Sequence, residues 1–254
     1  MNFTELKTWE PKFTKGEGIS VICSAPRKSG KSTFLKWLFD NYFSDLFDFF
    51  VVFSETANDN DFWANFLPDS QSVVFDEFKA SKLFKLAEFQ RSCYRRHNCY
   101  LDVLIILDDI TNAKNNKSII DIYNLGRHTN QSVYVIAQTA TMIHPQSRNN
   151  TDLGIFFRQN TGDANEMLVN NFVGDHLPTF MKKKDKLEMI SNIPRYNAFI
   201  LDNLATNLAP HERLRRFKVP LSGAPTPPEL EINEKIETVE KKEELKDAEK
   251  KKEE

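Results

Sequence analysis

The stretch "CSAPRKSGKSTF", Cys23 to Phe34, decides how the rest of this chain is read. It ends in Gly30-Lys31-Ser32, the close of the pattern Gly-x-x-x-x-Gly-Lys-[Ser/Thr]. In such a loop, backbone N–H groups wrap phosphate oxygens and the following helix adds its dipole. The lysine reaches the β- and γ-phosphates, and the hydroxyl binds Mg²⁺. Ala25 stands where the first glycine is expected, and it fits there if its φ is negative. Gly30, where backbone must approach phosphate most closely, is kept. The expected phosphate-binding set is therefore Ala25, Pro26, Arg27, Lys28, Ser29, Gly30, Lys31, Ser32 and Thr33.

A bare Gly-Lys-Ser arises by chance in roughly one chain in ten of this length at average residue usage, so its surroundings must decide. Upstream, "ISVICS" (Ile19–Ser24) is a short apolar run suited to a buried strand. Downstream, "KSTFLKWLFDNYF" places Phe34, Leu35, Leu38 and Phe39 on one helical face. Strand, loop and helix in that order are what the phosphate cradle requires.

The same alternation continues along the chain. "FFVVFSE", "SVVFDE", "LDVLIILDD", "QSVYVIAQT", "LGIFFRQN" and "NAFILDN" read as further strands. Helical patterns fall at "FKASKLFKLAEFQRSCYRR", "KSIIDIYNLGRHT" and "DANEMLVNNFV". Buried-type strands alternating with helices predict an α/β fold with a mostly parallel central sheet flanked by helices. Residues 1–17 read as an N-terminal arm and 18–220 as the main domain. Residues 221–254 read as a Pro/Gly linker leading to a disordered or helical Glu/Lys-rich tail.

Composition sets outer limits. The 254 residues suffice to bury a core without disulfides or metal. The net charge is −2. From Glu229 onward there are 11 acidic and 7 basic residues, so the tail carries −4 and the remainder +2. That remainder is too weakly basic to establish a nucleic-acid partner. Cys23, Cys93 and Cys99 lack zinc-type spacing and read as reduced thiols in a cytosolic compartment. No apolar run approaches the length of a membrane span or a secretory leader, so neither is expected.

Hydrolysis needs a metal anchor and a group that orients water. "LIILDD" ends a strand in Asp108 and Asp109, and a parallel strand delivers both at the sheet edge where the phosphate loop opens. Asp108 is expected to hold Mg²⁺ together with Ser32, and Asp109 to polarise the attacking water. Gln138, closing "VYVIAQT", sits at the same edge as a γ-phosphate sensor. Two strand candidates lie between the loop and Asp108. That spacing suits P-loop NTPases of the additional-strand type, which carry an acidic residue beside the metal aspartate.

The order of these motifs resembles the genome-packaging ATPases of nucleocytoplasmic large DNA viruses and related double-jelly-roll-capsid viruses, in the FtsK–HerA superfamily. The resemblance covers about residues 18–205. It rests on the phosphate loop, Asp108-Asp109, Gly126-Arg127-His128, Gln138 and Arg148-Asn149-Asn150. It implies an ATP-hydrolysing double-stranded DNA translocase that fills a preformed capsid as a homo-oligomeric ring, a pentamer or hexamer. Its implied contacts are double-stranded DNA and a capsid vertex or inner-membrane protein of the virion. Its implied locations are the host cytoplasm, at the viral factory, and the virion. Such rings use an arginine that reaches a neighbour's γ-phosphate. Arg127 and Arg148 are the candidates, with Arg148 preferred. Lys114 and Lys117, just after the aspartate pair, are candidate DNA contacts. Two other readings compete: another P-loop enzyme (a helicase or nucleotide kinase), and a nucleotide-dependent virion assembly protein.

Overall fold

β1 (Ser20–Ser24) lies in the interior of an eight-stranded sheet of order β3-β2-β4-β5-β1-β6-β7-β8. A computed structural model describes residues 2–57, 62–110 and 116–220. The expectations for Lys114 and for residues 221–254 fall outside that set. The other strands are β2 (Phe49–Ser54), β3 (Ser72–Phe75), β4 (Val103–Asp108), β5 (Gln131–Ala137), β6 (Leu153–Phe157), β7 (Asn197–Asp202) and β8 (Leu214–Lys218). The helices are α1 (Lys31–Leu38), α2 (Ser44–Leu46), α3 (Phe62–Phe66), α4 (Ala80–His97), α5 (Lys117–Leu125), α6 (Pro145–Asn149), α7 (Gly162–Leu168), α8 (Lys183–Ser191) and α9 (Pro210–Arg213).

From β3 to β6 every pairing is parallel. β7 and β8 then close the sheet antiparallel. β1, β5 and β6 are buried along their whole length, because helices cover both faces. The alternation of side chains sorts the strands into two cores. Ile22, Phe53, Ile105 and Val133 pack with Ile119 and Tyr123 of α5 on one face. Val21, Cys23, Val52, Ile106 and Tyr134 pack with Phe34, Leu35 and Leu38 of α1 on the other.

Two features go beyond the sequence reading. β8, "LRRFK", turns only Leu214 and Phe217 inward. The residues read as an arm are tied to it: Trp9 N–H donates to the Arg216 carbonyl at 2.8 Å, and Arg216 N–H donates to the Lys7 carbonyl at 3.0 Å. Phe3, Leu6 and Trp9 are buried, and the Trp9 ring lies 6.3 Å from Phe34 and 5.8 Å from Phe217. The N-terminal segment thus packs into the same compact unit, which extends to Val219. The reason is hydrophobic: each large apolar side chain placed under the sheet contributes about 1.5–3 kcal/mol.

Candidate active site

Because β1, β5 and β4 run parallel, their C-terminal ends lie on one edge. Ser24 pairs in register with Ala137, and Asp108 with Ile136. The loop leaving β1 therefore sits beside the aspartates that end β4, two strand spacings (about 10 Å) away. Ala25 is fully buried, its N–H donates to the Ala137 carbonyl at 2.9 Å, and its φ is not positive. The missing glycine is thus no defect. Lys28 takes φ 63° and Gly30 φ 113°, so the loop turns through left-handed geometry twice. A Cβ on Gly30 would lie 2.8 Å from the Tyr196 ring. The Gly30 carbonyl accepts from Phe34 N–H at 2.9 Å, which starts α1.

Lys31 is the hub. Its ammonium donates to Asp109 Oδ2 at 2.8 Å and lies 3.5 Å from Asp108 Oδ1. Asp109 has φ 51°, and its N–H donates to the Ile136 carbonyl at 3.0 Å. That left-handed turn breaks the strand and aims the carboxylate at Lys31, a local strain of the kind functional sites hold. Burial pushes the Asp108 carboxyl above its ordinary value, with Asp109 adding to this and Lys31 opposing it. For Lys31, burial acts to lower the ammonium, but Asp108 and Asp109 outweigh it and the net shift is upward. Lys31 is thus held in its ammonium form by the two aspartates, and its charge offsets part of what burial does to Asp108.

Ser29 Oγ, Asp108 Oδ1 and Asp109 Oδ1 are buried without a hydrogen-bond partner among the described residues. Buried polar atoms are normally satisfied, so the two carboxylate oxygens left over beside Lys31 mark a place suited to an added polar group. A divalent cation with phosphate oxygens fits this donor set. Mg²⁺ is typically held by one or two carboxylates plus substrate phosphates rather than by an all-protein cage, and no cage of three or more His, Cys, Asp or Glu occurs among the described residues. Asp108 and Ser32, exposed on the first turn of α1, are the residues suited to hold it.

Gln138 follows β5 directly and is half-buried at this edge. Lys117, the first residue of α5, is exposed. α5 leads from the end of β4 to the start of β5, so Lys117 faces the same edge. The two arginines do not. Arg127 Nη2 lies 3.8 Å from Asp152 Oδ1, and Asp152 in turn accepts from Ser20 N–H at 2.8 Å. Arg148 sits on α6 just before β6, its guanidinium 5.9 Å from the Phe172 ring. Both therefore lie at the start of β1, about 16 Å along the strand from their own phosphate loop. Neither can act on the phosphates held by its own chain.

Two contributors escaped sequence reading. Ser54, buried at the end of β2, donates to Asp108 Oδ2 at 3.2 Å. Gln159, buried after β6, donates to the Phe157 carbonyl at 2.9 Å and lies 3.4 Å from the Ser24 carbonyl, under the loop's entry. A polar residue closing an apolar strand is the signal both share. It becomes informative only once the strand order is known.

Comparison with known proteins fits this geometry. A profile of the family described as Poxvirus A32 protein matches residues 21–203. The chain belongs to that family. It is similar to the uncharacterised protein 015R of Frog virus 3 (isolate Goorha), with 24% identity over 215 residues, 83% of this chain. The match spans 65% of that relative's length. Among solved structures, the fold is similar to the genome-packaging NTPase B204 of Sulfolobus turreted icosahedral virus 2 bound to ATP-γS. There the TM-score is 0.55 at 16% identity, covering 81% of this chain and 98% of that one. The cytoplasmic domain of the type VII secretion ATPase EccC of Thermomonospora curvata is similar with TM-score 0.52 at 14% identity, covering 87% of this chain and 30% of that one. The A32-family chain described here thus has the α/β P-loop ATPase fold expected from its motifs, and no helix among the described residues is long and apolar enough to cross a membrane.

Proposed function

We propose that this chain is an ATP-hydrolysing motor that moves double-stranded DNA into a viral capsid. The observation that carries the reading is Lys31 poised between Asp108 and Asp109 at the mouth of the phosphate loop. A phosphate-binding loop alone serves binding; a paired carboxylate site beside it serves hydrolysis. Membership of the A32 family, and a fold shared with a genome-packaging NTPase, support the packaging role.

The residues divide the work as follows. Lys31 holds the charge of the two aspartates until a nucleotide's phosphates compete for its ammonium. Gly30 and its neighbours present N–H groups to those phosphates. Asp109 accepts a hydrogen bond from the attacking water and Gln138 orients it. Asp108, kept in place by Ser54, and Ser32 would hold Mg²⁺, which would screen phosphate charge. Arg127 or Arg148 completes the site of a neighbouring copy. Arg127 is half exposed but ion-paired with Asp152, and Arg148 leans on Phe172. In this reading a homo-oligomeric ring is required for turnover, and Lys117 with Lys114 contacts DNA phosphates.

The test measures ATP hydrolysis with and without long double-stranded DNA, and the solution mass with nucleotide present. The expected result is DNA-stimulated turnover from a ring-sized species, with Arg127→Ala or Arg148→Ala losing turnover while retaining ATP binding. Phosphoryl transfer to a nucleoside monophosphate, or no turnover in the presence of DNA, would overturn it.

A further inference from the structure

A cavity adjoins the phosphate loop on the side away from the aspartates. It has a volume of about 220 Å³ and is lined by the loop itself from Pro26 to Ser29, by Arg158 and Asn160 after β6, and by Arg195 and Tyr196 before β7. Four of its lining residues (Arg27, Lys28, Arg158 and Arg195) are cationic, and none is acidic. The Arg195 guanidinium carbon lies over the Tyr196 ring, 4.9 Å from its centroid. Tyr196 itself takes φ 60°, which is strained for a bulky residue. It is pinned there by Val219 N–H, which donates to its carbonyl at 2.8 Å. The ring edge meets Gly30, so Tyr196 is set against the phosphate loop.

Direction follows from the sheet order. The carboxylates lie on the β4–β5 side of β1, so the terminal phosphate of a bound nucleotide points that way. The other end must leave on the β6–β7 side, where this cavity opens. Its volume falls below the roughly 300 Å³ floor of drug-sized sites. That is room for part of a nucleotide rather than for the whole.

We propose that this cleft takes the nucleoside end of a nucleotide, the base packing against the Tyr196 ring and the Arg195 guanidinium while its phosphates lie in the loop. Planar guanidinium and aromatic faces both stack on bases. The assignment rests on the nucleotide reading given above and adds which end of the ligand these residues hold.

Titration calorimetry in Mg²⁺ buffer, comparing ATP with inorganic tripolyphosphate, tests this. Tripolyphosphate keeps the phosphates and lacks the nucleoside. The parent should bind ATP more tightly than tripolyphosphate. Arg195→Ala, at an exposed position, and Tyr196→Leu should each weaken ATP roughly tenfold, as expected for a lost stacking contact, and leave tripolyphosphate unchanged. Equal weakening of both ligands, or no weakening of either, would overturn the proposal. Parent protein that binds tripolyphosphate as tightly as ATP would overturn it while leaving the phosphate loop's role intact. Parent protein that binds neither would overturn the nucleotide reading and this proposal with it.

Discussion

Gly30→Ala measures how tightly the phosphate loop is built. Gly30 sits at φ 113°, and Gly16 supplies an internal control at φ 85°. A Cβ at Gly16 would meet nothing within 4 Å, whereas one at Gly30 would lie 2.8 Å from Tyr196 Cδ1. Both alanines carry backbone strain of about 2 kcal/mol. Only the Gly30 variant adds overpacking, about another 2 kcal/mol, because Tyr196 is already strained and its carbonyl is engaged. At roughly 3 °C per kcal/mol for a unit of this size, Gly16→Ala should lower Tm by about 6 °C and Gly30→Ala by about 12 °C. Thermal unfolding by circular dichroism reads the first quantity, and calorimetric binding of tripolyphosphate the second. Gly16→Ala should keep phosphate binding, and Gly30→Ala should lose it. If Gly30→Ala were no less stable than Gly16→Ala and bound tripolyphosphate like the parent, the packing argument for the loop would be wrong.

Lys31→Met should abolish hydrolysis and also cost about 3 kcal/mol, because it leaves two buried carboxylates uncompensated; adding Asp108→Asn and Asp109→Asn should restore most of the Tm but no turnover. The raised Asp108 carboxyl, whose chief cause is burial, gives a pH test. The folded state binds that proton more tightly than the unfolded chain, which favours folding below the ordinary value of 3.8 and is lost as pH rises through the higher folded value. Asp108→Asn should therefore be inactive yet more thermostable than the parent at pH 7, with the advantage vanishing near pH 3.8; an advantage that persisted or grew at acid pH would contradict the sign. Ser54→Ala removes a donor to Asp108 and should lower kcat with KM little changed, at a stability cost of about 1 kcal/mol, read by steady-state kinetics and urea unfolding. Trp9→Ala should cost about 3–5 kcal/mol in urea unfolding, since Trp9 is buried beneath Phe34 and Phe217; a solvent-facing arm would show almost no change.

The strands β1 to β7 were legible because each is a short apolar run bounded by polar or turn residues, as "LIILDD" shows. β8 was not, since "LRRFK" is neither an apolar run nor an apolar/polar alternation and carries two arginines. It is a strand only because β7 offers it an edge and the segment around Trp9 covers it. The burial of Phe3, Leu6 and Trp9 was hidden for a similar reason: their cover comes from residues about 200 positions away, such as Phe199 and Phe217. Within the site, Lys31, Asp108 and Asp109 were visible from residue type and local order. Ser54 and Gln159 were not, because their roles depend on which strand lies beside which.

By itself the sequence determined the local chemistry of this protein: a loop with glycine where backbone must turn left-handed, a lysine and hydroxyl opening a helix, and two carboxylates ending a buried strand. These are properties of a few consecutive residues, set by backbone sterics and side-chain type. Tertiary structure alone decided distance and direction. It joined Lys31 to both aspartates, set Tyr196 against Gly30, and put Arg127 and Arg148 at the far end of β1 from the phosphates of their own chain. Parallel pairing is what does this. It gathers the C-terminal ends of β1, β4 and β5 on one edge and sends the residues that precede β5 and β6 to the other.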